Sequence, residues 1–455
     1  MKKITFILLA FSIIFLSVSC SKQWLEDKQD VKLIVPTSLN DLDLLLNAEL
    51  FQYDGRGGVE TSCDDYEFTR DQFNQIYFGF DRDFIIWKKE KDYENLDLVQ
   101  QNEWSCAYSQ IQVCNVVLKG LSSIDRTVEK RAEYDRIHGV ALYHRAKQFL
   151  NMVMTFSKYY DKNTSSTDLG IPIKLDDDID ENVKRASVEQ TYQQIINDLK
   201  LSANELPANQ SDYTKVSKSG AFALLARTYL FMDKYAEAKD AADSSLKYNS
   251  FVEDFNLIND PTANNPLDIK SKEIHIRSLM VKSSSSPSLG RISTILYNDY
   301  RGDDLRKSLF FKAEEDGMFT FRGEFLNNLF TGTTTGEVLL ILAESNARLN
   351  NVQSAMDALN KLSSKRYNRE TFQDFAAQNA STAIDLILKE RRKELVTRGL
   401  RWQDLKRLNR DPKYSQTLIR KIGDETFMLP PNDPRYVLPI PQFVINFNHI
   451  EQNQY

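Results

Sequence analysis

Glu390 and Glu394 stand one helical turn apart in the most charged stretch of the chain, Ile387 to Arg407. Paired carboxylates are the usual tools of glycoside hydrolysis. The same stretch also carries Arg391, Arg392, Lys393, Arg398 and Arg401. A carboxylate beside guanidinium groups has a lowered pKa, which suits an ion pair better than a general acid. The expectation is therefore a structural network, with Glu390 beside Arg391, Glu394, Trp402 and Asp404, pinning the C-terminal tail against the helices. His138 and His144 are six residues apart and face apart on a helix, so they make poor joint metal ligands. The chain contains no G-x-x-x-x-G-K-[ST], G-x-S-x-G, H-E-x-x-H or C-x-x-C. Neither catalysis nor a metal or cofactor is expected.

The elements that must position these residues are helical. The 455 residues include only 16 Gly and 12 Pro, well below the average usage of roughly 7% and 5%. So few breakers favour long helices over a sandwich with frequent turns. Mean hydropathy of -0.45 excludes a multi-spanning membrane protein. A net charge of -6 gives no reason to expect nucleic acid. Apolar spacing predicts helices over about 37–50, 99–121, 128–157, 188–206, 216–232, 234–248, 336–349, 352–365 and 381–408. Ser187 is placed to cap one of them, and Thr37 or Ser38 another.

Some of these helices pair as a degenerate tetratricopeptide repeat, in which small residues let two helices approach and large ones fill the groove. Phe222, Leu225, Ala226, Tyr229, Ala238, Ala242 and Ser245 fall at the repeat's offsets. The frame recurs at Leu339, Leu342, Ala343, Asn346, Ala355, Leu359 and Leu362. A third pair joins the helix bearing Ala146 and Phe149 to 188–206. The fold expected is mostly α: helix pairs over about 128–248 and 336–365, a large irregular insertion over about 250–335, and a C-terminal helix and Pro-rich extended tail over 381–455.

The N-terminus reads as a targeting segment. Lys2 and Lys3 precede thirteen mostly apolar residues, Ile4 to Leu16, too few to span a bilayer and suited to a signal peptide. Small residues before Cys20 resemble a bacterial lipoprotein cleavage box, although Leu16 stands four residues before the Cys rather than three. The expectation is a signal peptide over 1–19, lipid attachment at Cys20, a tether over 20–36 and one domain over 37–455. Two or three acyl chains would anchor it stably. Cys106 and Cys114, eight residues apart on one helix, are too far apart to pair and read as core residues.

The block E-R-R-K-E-L at Glu390–Leu395, then Gly399 and R-W-Q-D-L-K-R at Arg401–Arg407, closely resembles the signature of the SusD/RagB family of outer-membrane nutrient-uptake lipoproteins. Trp104, Tyr108, Ile111 and Asn115 resemble that family's early W-x3-Y-x2-I-x3-N helix. Lys184 to Pro207 is similar to another of its helices, and Leu438-Pro439-Ile440-Pro441 with Asn448, Gln452, Asn453 and Tyr455 is similar to its ending. Arg398 stands where the family often has Glu, and Lys361 to Arg366 departs from the usual form. The resemblance implies a SusD-like α/α superhelix. It also implies a non-catalytic, lipid-anchored protein of the outer-membrane surface that captures oligosaccharide and delivers it to a SusC-like TonB-dependent barrel. The same role with a peptide ligand, and a repeat-type envelope scaffold lipoprotein, are the alternatives.

Sugar recognition needs flat apolar faces for pyranose C–H groups and planar polar side chains for hydroxyls, and tyrosine and tryptophan offer both. Two regions qualify. The ring-dense 66–93 segment offers Tyr77, Arg82 and Trp87, and the insertion offers Tyr297, Tyr300, Arg301 and Asp303. Trp104 and Trp402 match structural motifs and are set aside.

Overall fold

The computed structural model describes residues 36–55, 57–77, 79–89, 102–208, 212–263, 265–280, 289–323 and 328–454. The expected signal peptide, the Cys20 attachment site and the tether up to residue 35 lie outside the described residues.

Ten helices carry the scaffold: α1 Leu39–Leu46, α2 Glu103–Ser122, α3 Arg131–Phe156, α4 Val188–Glu205, α5 Lys218–Leu230, α6 Tyr235–Tyr248, α7 Thr335–Arg348, α8 Val352–Ser363, α9 Ala380–Glu394 and α10 Arg401–Leu408. Their starts have local causes. Ser38 and Ser187 each form a capping box, with Asp41 and Gln190 respectively. Asn102 and Thr334 cap α2 and α7 by accepting from the amides of Ser105 and Glu337. Each cap satisfies an amide that the helix itself leaves unpaired.

Successive helices from α2 to α7 pack on one another, and α7 also packs on α8 and α9. The result is a superhelix of helix pairs. Ala226 and Ala238 are fully buried between α5 and α6, as are Ala343 and Ala355 between α7 and α8. Both pairs turn on a left-handed residue, Asp233 (φ 57°) and Asn350 (φ 64°). Each lies seven positions after its pair's contact alanine, Ala226 or Ala343. Short polar side chains tolerate that conformation better than most. Phe222 stacks on Tyr248 at 6.2 Å across its pair. Cys63, Cys106 and Cys114 are buried and free.

Two expectations need correction. The single helix over 381–408 is two helices. After α9, Thr397 (φ 61°) and Gly399 (φ 71°) turn the chain back, and the Gly399 amide donates to Glu60 Oε2 at 2.9 Å. The tail is not simply extended. It contains a hairpin, Leu418–Ile422 with Glu425–Leu429, which turns at left-handed Gly423, and a short helix, Gln442–Asn448.

The insertion is irregular but tied down at several points. Leu279–Met280 lies between Tyr53–Asp54 and Leu329–Phe330, and Ile274–Ile276 pairs with Thr333–Thr334. Its hairpin Phe311–Ala313 with Phe319–Phe321 presents aromatic residues at alternate positions.

Candidate ligand face

The two ring-bearing regions, separated by some two hundred residues, are joined in space. Tyr66–Glu67 pairs antiparallel with Arg291–Ile292. The Ser293 amide donates to the Asp65 carbonyl at 2.8 Å, and the Thr294 amide to Glu67 Oε1 at 2.9 Å. At the hairpin tip, Asp316 accepts from Arg291 Nε at 2.8 Å and from Gln72 Nε2 at 3.3 Å. This junction brings rings and planar polar groups onto one face. Tyr297 stacks on Phe319 with centroids 3.6 Å apart and planes within 13°. Lys307 Nζ lies 4.4 Å from the Tyr297 centroid. Both rings are half-buried, and Tyr77, which follows the short helix Arg70–Gln75, is 83% exposed.

The residues nominated from sequence divide. Tyr297 lies at this junction, Tyr77 is exposed five residues beyond Gln72, and Arg82 is half-buried on the short helix Gly79–Ile85. Trp87 does not belong to it. It is 1% exposed, its indole N–H donates to the Ser62 carbonyl at 2.8 Å, and the Arg420 guanidinium lies 4.8 Å from its ring. Tyr300 is equally buried, and its hydroxyl donates to the Lys393 carbonyl at 2.8 Å. Each has its polar atom satisfied inside the protein, which makes it a core residue and not a platform. Arg301 and Asp303 form a two-point ion pair with each other at 2.9 and 2.6 Å. Asp303 also accepts from Thr371 and, through its backbone, from the Asn368 amide, so this pair braces the 368–371 turn. Phe319, Arg291, Asp316 and Gln72 were not singled out from sequence. Only the pairing of Arg291 with Glu67 exposes their shared position, and no local signal announces it.

The charged block is spent on structure. Arg306, fully buried, donates to Asp304, to Glu390 at 2.6 Å and to Glu394 at 3.1 Å. Arg366 holds Glu394 at 2.8–3.1 Å and Glu273 at 2.7 Å. Glu390 also accepts from the Tyr367 hydroxyl and pairs with Lys393. Burial raises the Glu394 pKa, but Arg366 and Arg306 outweigh it and hold the carboxyl below its ordinary range. Asp404 behaves alike, with Arg391 and Arg407 overcoming burial. Trp402 donates its indole N–H to the Tyr436 carbonyl at 3.1 Å, fastening the tail. Glu394 and Asp404 are thus held as charged ion-pair partners, which does not suit a general acid.

A cavity of about 670 Å³ opens between α10 and the tail, lined by residues that include Tyr159, Lys406, Arg410, Gln452 and Asn453. Its polar wall holds the tail in place. Asn453 donates to the Phe156 and Leu438 carbonyls, and Gln452 exchanges bonds with Ile440. Lys406 caps the end of α3 through the Met154 and Ser157 carbonyls. This cleft reads as a seam and not as a receptor.

Among the described residues, no group of His, Cys, Asp and Glu side chains is arranged to hold a metal ion. No helix among them is long and apolar enough to cross a membrane.

Two family models match the chain. One, "Starch-binding associating with outer membrane", covers residues 23–230, and the SusD family model covers 335–455. No curated protein matches it. Solved structures do. One from Bacteroides vulgatus ATCC 8482 superposes with a TM-score of 0.75 at 21% identity, over 92% of this chain and 99% of that one. A SusD superfamily protein from Bacteroides thetaiotaomicron VPI-5482 gives 0.72 at 21% identity, over 92% and 100%. A SusD-like carbohydrate binding protein from Bacteroides vulgatus ATCC 8482 gives 0.70 at 18% identity, over 91% and 97%. With the signature helices α9 and α10, the helix-pair superhelix and both family models in agreement, this chain belongs to the SusD/RagB family.

Proposed function

We propose that this protein is a non-catalytic, lipid-anchored binding protein of the outer-membrane surface. It captures oligosaccharide and passes it to a SusC-like TonB-dependent barrel. The observation that carries the reading is the junction of 66–77 with 291–321. There the Tyr297–Phe319 stack shares the junction with the planar Arg291, Asp316 and Gln72 groups, and Tyr77, five residues beyond Gln72, is exposed. Rings accept the apolar faces of sugars, and the guanidinium, carboxylate and amide offer hydroxyl partners. Family membership and carbohydrate binding by a structural neighbour support the ligand class. The absence of a free carboxylate pair in the signature block supports binding without turnover. Cys20 remains the proposed attachment point, with the segment up to Pro36 as its tether.

A glycan array probed with the purified protein tests this reading. Retention of one glycan class without any change in its chain length supports it. Retention of peptides alone, or cleavage of the bound glycan, contradicts it.

A further inference from the structure

A separate cavity of about 50 Å³ lies where α1 and the chain following it meet α3 and the 214–216 and 276–277 segments. Its volume has room for about three or four waters, or one oxyanion. Four cations line it: Arg136, Lys147, Lys215 and Arg277. Two of them are neutralised, Arg136 by Asp43 at 2.8 Å and Lys147 by Asp54 at 3.0 Å. Lys215 and Arg277 donate to amide oxygens, on Asn47 and Gln52 respectively, and Arg277 also lies 5.2 Å from the Tyr213 ring centroid. Asp212 lies near both, but its carboxylate is held by the Thr214 amide and hydroxyl. The Arg277 Nε is buried without a hydrogen-bond partner.

His144 completes the wall. It is 5% exposed, and its Nδ1 has no partner. Burial first, and then the charge of Lys147, push its pKa down to about 3. The imidazole is therefore neutral at physiological pH and can donate a hydrogen bond without needing a counter-charge. Two half-buried cations that share the one carboxylate of Asp212, an unused guanidinium N–H and a neutral imidazole on the wall of one small cavity make a site with surplus positive charge. Buried cations are ordinarily paired, and a guanidinium is suited to two-point oxyanion recognition.

We propose that this cavity binds a single oxyanion of the phosphate or sulfate type. The site stands apart from the carbohydrate reading and does not depend on it. Its wall from Asp43 to Gln52 lies close to the start of the described residues, on the side of the proposed tether, so soluble phosphate and a lipid headgroup are the two sources to distinguish.

The test uses the full chain in non-ionic detergent, titrated with sodium phosphate against sodium chloride at matched ionic strength. Tm and the side-chain NMR signals of the four His are followed. The expected result is a phosphate-specific rise in Tm, with the His144 signal shifting and the other three unchanged. Lys215→Gln and Arg277→Gln should each raise the half-saturating phosphate concentration by about tenfold. Phosphatidic acid vesicles, compared with phosphatidylcholine vesicles, distinguish the sources. Competition with free phosphate assigns a lipid headgroup, and no competition assigns a soluble anion. A Tm that responds equally to phosphate and chloride overturns the proposal, as does an unchanged phosphate response in both variants. Should the variants fail to fold, a His144 signal that does not move at saturating phosphate overturns it alone.

Discussion

Arg407 grips Glu344 with both ends of its guanidinium group, Nη1 at 2.6 Å from Oε1 and Nη2 at 2.8 Å from Oε2. Both side chains are essentially inaccessible to water. Burial raises the Glu344 pKa, but Arg407 outweighs it and keeps the carboxylate charged. The pair locks α10 to α7, so the signature block is joined directly to a repeat helix. Glu344→Gln leaves the buried Arg407 with Asp404 as its one remaining carboxylate, at an expected cost of about 3 kcal/mol. Urea unfolding measures it. The double change Glu344→Met with Arg407→Met should recover much of that loss, because matched apolar volume replaces a desolvated pair. An unaltered midpoint in Glu344→Gln would show the pair to be idle.

Trp402 does for the tail what Arg407 does for the repeats. Its ring packs 4.8 Å from Tyr436, and its N–H holds the Tyr436 carbonyl. Trp402→Ala should cost about 4 kcal/mol through the cavity it leaves. It should also open the chain beyond residue 411 to limited proteolysis while α2 to α8 stay protected. Trp402→Phe keeps most of the volume and loses about 1 kcal/mol with the hydrogen bond. Uniform proteolysis of the whole chain in Trp402→Ala would contradict a local fastening role.

Glu60 gives the fold a pH dependence. Burial, with help from Asp65, pushes its pKa up to about 7 despite hydrogen bonds from Tyr66 and Gly399. The folded state therefore holds a proton that the unfolded chain releases near pH 4.5. The resulting stability is fully present below pH 4.5 and is lost as pH rises through 7. Glu60→Gln cannot ionise. Relative to wild type, it should gain stability between pH 5 and pH 8, by up to about 3 kcal/mol. Parallel pH profiles of Tm for the two proteins would refute this.

Much of the scaffold was legible because helix faces repeat every three to four residues, as in Phe222, Ala226 and Tyr229. The break between α9 and α10 was not. Leu395, Val396 and Leu400 continue an apolar helical pattern, and only the contact of Gly399 with distant Glu60 shows why the chain turns. The ligand face was half legible. Aromatic density marked both regions, but ring type does not record burial. Trp87 lies under Arg420, more than three hundred residues away, and Tyr300 is held by Lys393. Tyr77, from the same ring-rich segment, meets solvent.

That contrast separates core rings from platform rings experimentally. Trp87→Ala should lower stability by about 4 kcal/mol, as removal of a buried aromatic does. Tyr77→Ala should change it by less than about 0.5 kcal/mol. Denaturant midpoints of the two variants check this, and equal losses would place both rings in the core.

The most direct measurement is the affinity of the wild-type protein and of Tyr77→Ala and Phe319→Ala for an oligosaccharide retained on the array, by isothermal titration calorimetry. By analogy with a base stacked on an aromatic ring, loss of one ring costs about 1–3 kcal/mol, roughly five- to 150-fold in affinity. The expected result is weakening of that size in both variants, with the fold retained by circular dichroism. Unchanged affinity in both would contradict the placement of the ligand where 66–77 meets 291–321.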